Sequence, residues 1–358
     1  MQLMSSRLSW GTKEQPSPFA RPFGIVLTFL ALGLGLLAAT GPYKNASAHS
    51  IFSDYKPVGP AQPVACVAQG IQNPVDADGG AVTINMLEGN TPVSERTPIH
   101  QVTITAGGAQ VNNFCLDLSK QILAESYCQQ GSATSPELIY LLTTYPPSLT
   151  DRIAQAARQA AVWHFTNGVN LQNPDATDEG PTTDAQVLAA YNAILADIET
   201  NINPNDPPAQ YLVGPPQLTV TPANASISLD VSTAHTVTVN LSNGGKPLVG
   251  YTVSVTTSLG TVNKASAVTN AQGQADFVVT NAISGTSAIV ASAQVILPVI
   301  RVFQSEAAPE GNQPIGGPGQ SIYDPSFQAA ATWVSPSGLE EVDEPRTAWL
   351  LFLPALEH

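Results

Sequence analysis

The chain has 358 residues, enough for two or three domains; only 11% are charged, and it holds 27 glycines and 30 prolines. This composition favours β-sandwich modules joined by proline-rich turns over a helical enzyme. The first 48 residues hold four of the 13 basic residues and one of the 27 acidic ones, leaving nine and 26. The resulting net charge of −17 repels nucleic acid and anionic lipid, weakly attracts amine-bearing partners and keeps the chain soluble.

The N-terminus reads as a targeting segment. Arg7, Lys13 and Arg21 precede an unbroken apolar run from Gly24 to Ala39, and Ala46-Ser47-Ala48 matches a small-x-small cleavage site. Residues 1–48 are therefore expected to be a signal peptide, with the mature chain starting near His49. The run is short for a bilayer span of about 20 residues, so an uncleaved anchor is the weaker reading, and membrane contact would come only through it. Either way, the rest of the chain is expected to be secreted or displayed at the cell surface.

Residues 63–67, 81–86, 101–105 and 111–118 carry β patterning, with apolar residues at alternate positions clearest in the second and third. Ser135 to Tyr145 is a short helix closed by Pro146-Pro147. Thr150 is expected to cap a helix running to about Phe165, and Thr183 a third helix. The third helix would bury Val187, Tyr191, Ile194, Leu195 and Ile198 at helical spacing. Pro204 to Pro216 is a linker. From Leu218 to Ala293 six runs alternate cleanly, with turns at Asn243-Gly244-Gly245 and Asn270-Ala271-Gln272-Gly273, the pattern of an immunoglobulin-like sandwich.

The expected class is thus mainly β with a helical subdomain. A β-core domain spans 49–205, a linker 206–216, an immunoglobulin-like β-sandwich 217–300 and an unassigned proline- and glycine-rich tail 301–358. Leu353-Pro354-Ala355-Leu356-Glu357 lacks the Thr-Gly of a cell-wall sorting motif.

Three cysteines in an exported chain leave one without a partner. The simplest account is a Cys66–Cys128 disulfide with Cys115 used otherwise; a buried free thiol or a different pairing stays open. Cys115 follows Phe114 at the end of an expected strand. The later segment Ala157-Arg158-Gln159-Ala160-Ala161-Val162-Trp163-His164-Phe165 adds a second signal. An aromatic-Cys segment followed by Gln-x-Ala-(Val/Ile)-Trp resembles the bacterial thioester domain of Gram-positive surface adhesins, over about residues 64–205. The family usually has Thr where this chain has Arg158.

The resemblance implies a thioester between Cys115 and Gln159. Thiol attack on the Gln159 carboxamide expels ammonia, and an amine of a partner then takes the acyl group, forming a stable amide and freeing Cys115. Proximity supplies effective concentration and a dry site protects the product. Trp163, one turn beyond Gln159, is expected to shield the bond, a role compatible with plain core packing.

The segment Asn243 to Val253 with Thr269 to Ala275 resembles a group 1 bacterial immunoglobulin-like domain of the invasin and intimin type, which implies a spacer. The expected partner is a lysine-bearing surface protein, or a polysaccharide, of a host or neighbouring cell. The mature chain itself has only four lysines, Lys56, Lys120, Lys246 and Lys264.

The alternatives are a non-covalent surface protein of the same fold, and a cysteine hydrolase pairing Cys115 with His164. His164 would point away from the Gln159/Trp163 face of its helix. Neither a cofactor nor a metal is expected: the acidic loop Asn173 to Glu179 lacks an EF-hand pattern. The chain is read as no enzyme beyond a single-turnover acyl transfer.

Overall fold

The computed structural model describes residues 75–103, 110–120, 127–133, 135–305 and 311–335. The expected signal peptide, the strand at 63–67 and Cys66 lie outside the described residues, as does the side chain of Cys128. Among the described residues no helix is long and apolar enough to cross a membrane.

The chain begins with β1 (Thr83–Glu88), β2 (Thr91–Arg96), β3 (His100–Thr103), β4 (Gln110–Cys115) and β5 (Tyr127–Ala133). Three helices follow: α1 (Pro136–Thr144), α2 (Arg152–Asn167) and, after the short β6 (Asn170–Leu171), α3 (Pro181–Asn201). Ser135 caps α1 by accepting from the Leu138 N–H at 3.2 Å.

Two of the expected helix starts move. Asp151, not Thr150, caps α2: its carboxylate accepts from the Ala154 N–H at 3.0 Å, a stronger acceptor one residue closer. The third helix starts at Pro181 rather than after Thr183, because proline's fixed φ suits the first helical position. All five residues assigned to the buried face of α3 are buried. In its first turn, Asp184 accepts from both the N–H (2.7 Å) and the hydroxyl (2.6 Å) of Thr177 in the preceding loop. No acidic or histidine cluster among the described residues could hold a metal ion.

A second module contains β7 (Gln217–Thr221), β8 (Asn224–Ser228), β9 (Ala234–Asn243), β10 (Lys246–Pro247), β11 (Thr252–Thr257), β12 (Thr261–Val262), β13 (Ser266–Val268), β14 (Gln274–Thr280) and β15 (Gly285–Ala293). Its two sheets run β10-β9-β14-β12, with β7 also on β9, and β13-β11-β15-β18-β8, where β18 is the late strand Ser326–Val334. The inward positions of their alternating strands meet in one core that includes Val237, Phe277, Ile289 and Trp333, the immunoglobulin-like sandwich that the patterning predicts. The β9–β10 hairpin turns through Gly244 and Gly245 at φ +55° and +79°, a left-handed pair that few other residues adopt.

The last three strands return to both modules. β16 (Val295–Ser305) and β17 (Ile315–Tyr323) form a long antiparallel hairpin, and β18 (Ser326–Val334) lies antiparallel to β15 and parallel to β8. The hairpin starts in the sandwich, where Val295 and Leu297 join its core, and ends in the first module, where Ile300 and Val302 join the other. There it completes a sheet of order β3-β4-β17-β16-β5. Residues 301–305, 315–323 and 326–334, unassigned in the sequence, are therefore strands, and the first module's sheet draws on both sides of the sandwich in sequence. The segment read as a linker is also held: the Asn243 side chain donates to the carbonyls of Ala209 (3.0 Å) and Leu212 (2.7 Å).

Candidate functional site

The sheet and α2 meet at Cys115. The residue ends β4, where pairing with Ile315 of β17 fixes its backbone and the next N–H, of Leu116, bonds the Pro314 carbonyl at 2.9 Å. Its neighbour Phe114 is fully buried in the core shared with the helices. Phe114 thus anchors the segment, and Cys115, at the strand's end, joins the same core cluster.

Across from it, α2 presents Gln159, fully buried. Its carboxamide is gripped by the main chain of Cys115 at both ends. Oε1 accepts from the Cys115 N–H at 3.1 Å, and Nε2 donates to the Cys115 carbonyl at 2.8 Å. Two bonds to one residue fix the plane of the amide against the Cys115 main chain. The N–H on Oε1 also stands where negative charge develops when a nucleophile adds to the carbonyl.

The Cys115 thiol is buried and joins no disulfide. Burial, and secondarily the negative charge of Glu95, push its ionisation far above the usual thiol range, with a hydrogen bond to Gln313 opposing. The resting thiol is therefore protonated, unlike the thiolate of a cysteine hydrolase. It borders a pocket of about 380 Å³ whose lining includes Glu95, His100, Lys120, Trp163 and Gln313. Burial raises the carboxyl of Glu95, and Lys120 stands 3.6 Å from Asp117.

Structure places the sequence candidates unequally. Cys115, Gln159 and Trp163 converge, with Trp163 one turn after Gln159 on α2 and 2% exposed. His164 does not: its Nδ1 lies 3.0 Å from the Val169 carbonyl and 3.1 Å from the Tyr191 hydroxyl. The hydrolase pairing has no geometry here. Arg158 also turns away, donating to the Pro146 carbonyl at 2.6 Å. Since the Gln159 carbonyl is already held by the Cys115 N–H, no hydroxyl at position 158 is needed to orient it. His100, Glu95 and Gln313 were not singled out in the sequence, because register and the returning hairpin bring them to the thiol.

Trp163 lines the same pocket as Cys115, where it would shield the thioester that the resemblance implies. In Trp163→Ala the thioester is expected to form and then hydrolyse, so peptide mapping should find glutamate at position 159. A variant that keeps the thioester, read as a lasting mass deficit of one ammonia, would assign Trp163 to packing alone.

Residues 113–200 match the family model of the thioester domain. Among solved structures the chain is similar to the Bacillus anthracis TIE protein, with a TM-score of 0.45 and 14% identity over 70% of this chain and 48% of that one. It is also similar to the thioester domain of the Enterococcus faecium TIE86 protein (TM-score 0.39, 13% identity, 74% of this chain and 99% of that one). A shorter stretch is similar to the D00-D0 domain of intimin (TM-score 0.19, 17% identity, 30% and 45%). The chain thus spans about half the length of the first of these structures, and no curated protein matches it.

Proposed function

With residues 113–200 in a thioester domain, we propose that the chain is an adhesin-like surface protein that couples covalently to a partner through a Cys115–Gln159 thioester. The observation that carries this reading is the double hydrogen bond between the Gln159 carboxamide and the main chain of Cys115. A carboxamide and a thiol do not condense at useful rates in water. Held in contact, they gain an effective molarity that in oriented intramolecular reactions reaches about 10⁵ M or more.

The product is an acyl group on a good leaving group in a buried site bordered by the pocket beside Cys115. A nucleophile must enter there and outcompete water. Primary amines do so near neutral pH, and the acidic surface raises the local concentration of cationic lysines modestly. The partner is therefore a protein lysine on the surface of a host or neighbouring cell, with polysaccharide hydroxyls as the competing acceptor. The immunoglobulin-like sandwich, sharing the β16–β17 hairpin with the reactive module, serves as a stiff spacer.

The test is incubation of the mature protein with surface extracts of candidate cells. Adducts that survive boiling in denaturant are expected, and both Cys115→Ala and Gln159→Ala should abolish them. Adducts that persist in either variant would exclude the thioester. Release of the partner by hydroxylamine at mildly alkaline pH would identify an ester and a hydroxyl acceptor.

A further inference from the structure

One buried titratable side chain beside Cys115 has no part yet in the chemistry. His100 opens β3, is 3% exposed and lines the same pocket as the thiol. Its position follows from register. His100 is paired with Asn113 across the β3–β4 ladder, Asn113 and Cys115 lie on the same side of β4, and so imidazole and thiol are diagonal neighbours on one face. Neither ring nitrogen has a hydrogen-bond partner among the described residues. Leaving such a group buried and unpaired costs about 1–3 kcal/mol, a penalty that structures seldom keep without a use.

The thioester reading creates a use. Forming the bond requires the Cys115 sulfur to lose a proton that burial and Glu95 hold on it, and the amide nitrogen to gain one before it leaves as ammonia. Opening the bond requires the incoming amine to lose a proton and the sulfur to regain one. Several charged or titratable groups face the pocket with His100. Glu95 and Arg96 come from β2, Cys115 from β4, and Lys120 from the turn beyond it. Arg96 is paired with Asp76 at 2.9 Å and Lys120 stands 3.6 Å from Asp117, so each is engaged with a carboxylate. Glu95 lies on a strand of the other sheet, mostly open to solvent with its carboxyl only partly desolvated. Burial pushes the His100 imidazole down to about 4, so in the neutral range it is a free base.

Resting on the thioester reading, we propose that His100 carries the protons of this site in both directions. In formation it takes the proton of the Cys115 thiol, directly or through one water, as sulfur adds to the Gln159 carbonyl. It then delivers that proton to the nitrogen, so thiol and carboxamide become thioester and ammonia. In transfer it takes a proton from the attacking amine and returns it to the sulfur, so amine and thioester become amide and thiol. No oxidant, metal or further reactant enters, and an imidazole base of this kind contributes typically about 10²–10⁴-fold.

The experiment uses the full chain with methylamine as the nucleophile and release of the Cys115 thiol as the readout. Intact mass is read first: a wild-type protein that has lost no ammonia defeats the thioester reading, and this proposal with it. In protein that has lost ammonia, His100→Gln and His100→Ala should open about 10²-fold more slowly, and added imidazole should restore His100→Ala. Wild-type rates in both variants would overturn the proposal, and so would slowing that imidazole does not relieve, which marks a packing role. Equal slowing in Glu95→Gln with none in His100→Gln would transfer the role to Glu95. If the variants do not fold, the wild type still decides. With methoxyamine, which stays largely unprotonated in mild acid, the rate per unprotonated amine should fall as the pH drops through about 4. A flat profile would overturn the assignment.

Discussion

The purified protein is expected to weigh one ammonia less than its sequence requires, with the Cys115 thiol unreactive toward alkylating reagents until methylamine is added. Both hydrogen bonds on the Gln159 carboxamide come from the residue that bears the nucleophile. The rotational freedom that normally opposes the reaction is therefore lost when the domain folds. The Cys115 N–H already bonds the Gln159 oxygen that would become the oxyanion in the proposed reaction. A preorganised donor of this kind is worth about 2.7–4 kcal/mol, roughly a hundredfold to a thousandfold in rate. Cys115→Ala and Gln159→Ala should each weigh what their sequences dictate, an all-or-none difference. His164→Ala should behave as wild type, because its imidazole bonds Val169 and Tyr191. A wild-type protein of full mass whose Cys115 alkylates completely while folded would exclude the bond.

A fragment of residues 49–205 is expected neither to fold stably nor to lose ammonia, although it contains both reacting residues. The reason lies in the β16–β17 hairpin. Ile315 pairs with Cys115, Pro314 accepts the Leu116 N–H, and Gln313 bonds the thiol. Without the hairpin the β4 edge is bare on one side and β5 loses its neighbour. Ile300, Val302, Phe303 and Ile315 are all buried in this module. Each fully buried side chain of this size contributes about 1.5–3 kcal/mol, so together they rival the total stability of about 5–15 kcal/mol of an ordinary domain. Chain truncated after residue 294 should fail in the same way and also strip Trp333 from the sandwich core. Circular dichroism melts and intact mass check both. A 49–205 fragment with a cooperative melt and a missing ammonia would show that the reactive module is autonomous and the hairpin an accessory.

The sequence by itself determined the parts whose signals are local. Alternation in the runs between Leu218 and Ala293 marked the sandwich strands, since a half-buried strand must alternate. The spacing of Val187, Tyr191, Ile194, Leu195 and Ile198 marked the buried face of α3 for the corresponding reason at a helical period. The Cys115 and Gln159 segments were legible as a pair only through their joint resemblance to the thioester-domain motifs, each short motif being weak by itself. Helix starts were less legible, since Thr150 and Asp151 are both cap formers and only the carboxylate's bond to Ala154 separates them.

Tertiary structure alone decided what closes the site. The run Ile315-Gly316-Gly317-Pro318-Gly319 reads as loop, yet it is a strand. A Cβ on Gly316 would stand 2.6 Å from the Leu116 side chain, and one on Gly317 would stand 2.9 Å from the Asn112 carbonyl. The glycines that erase the strand signal are therefore what lets β17 approach β4, and close approach outweighs propensity. His100 carries no motif either. Its place beside Cys115 exists only through the β3–β4 register, as that of Gln313 exists only through the returning hairpin, and neither pairing is encoded by local patterning.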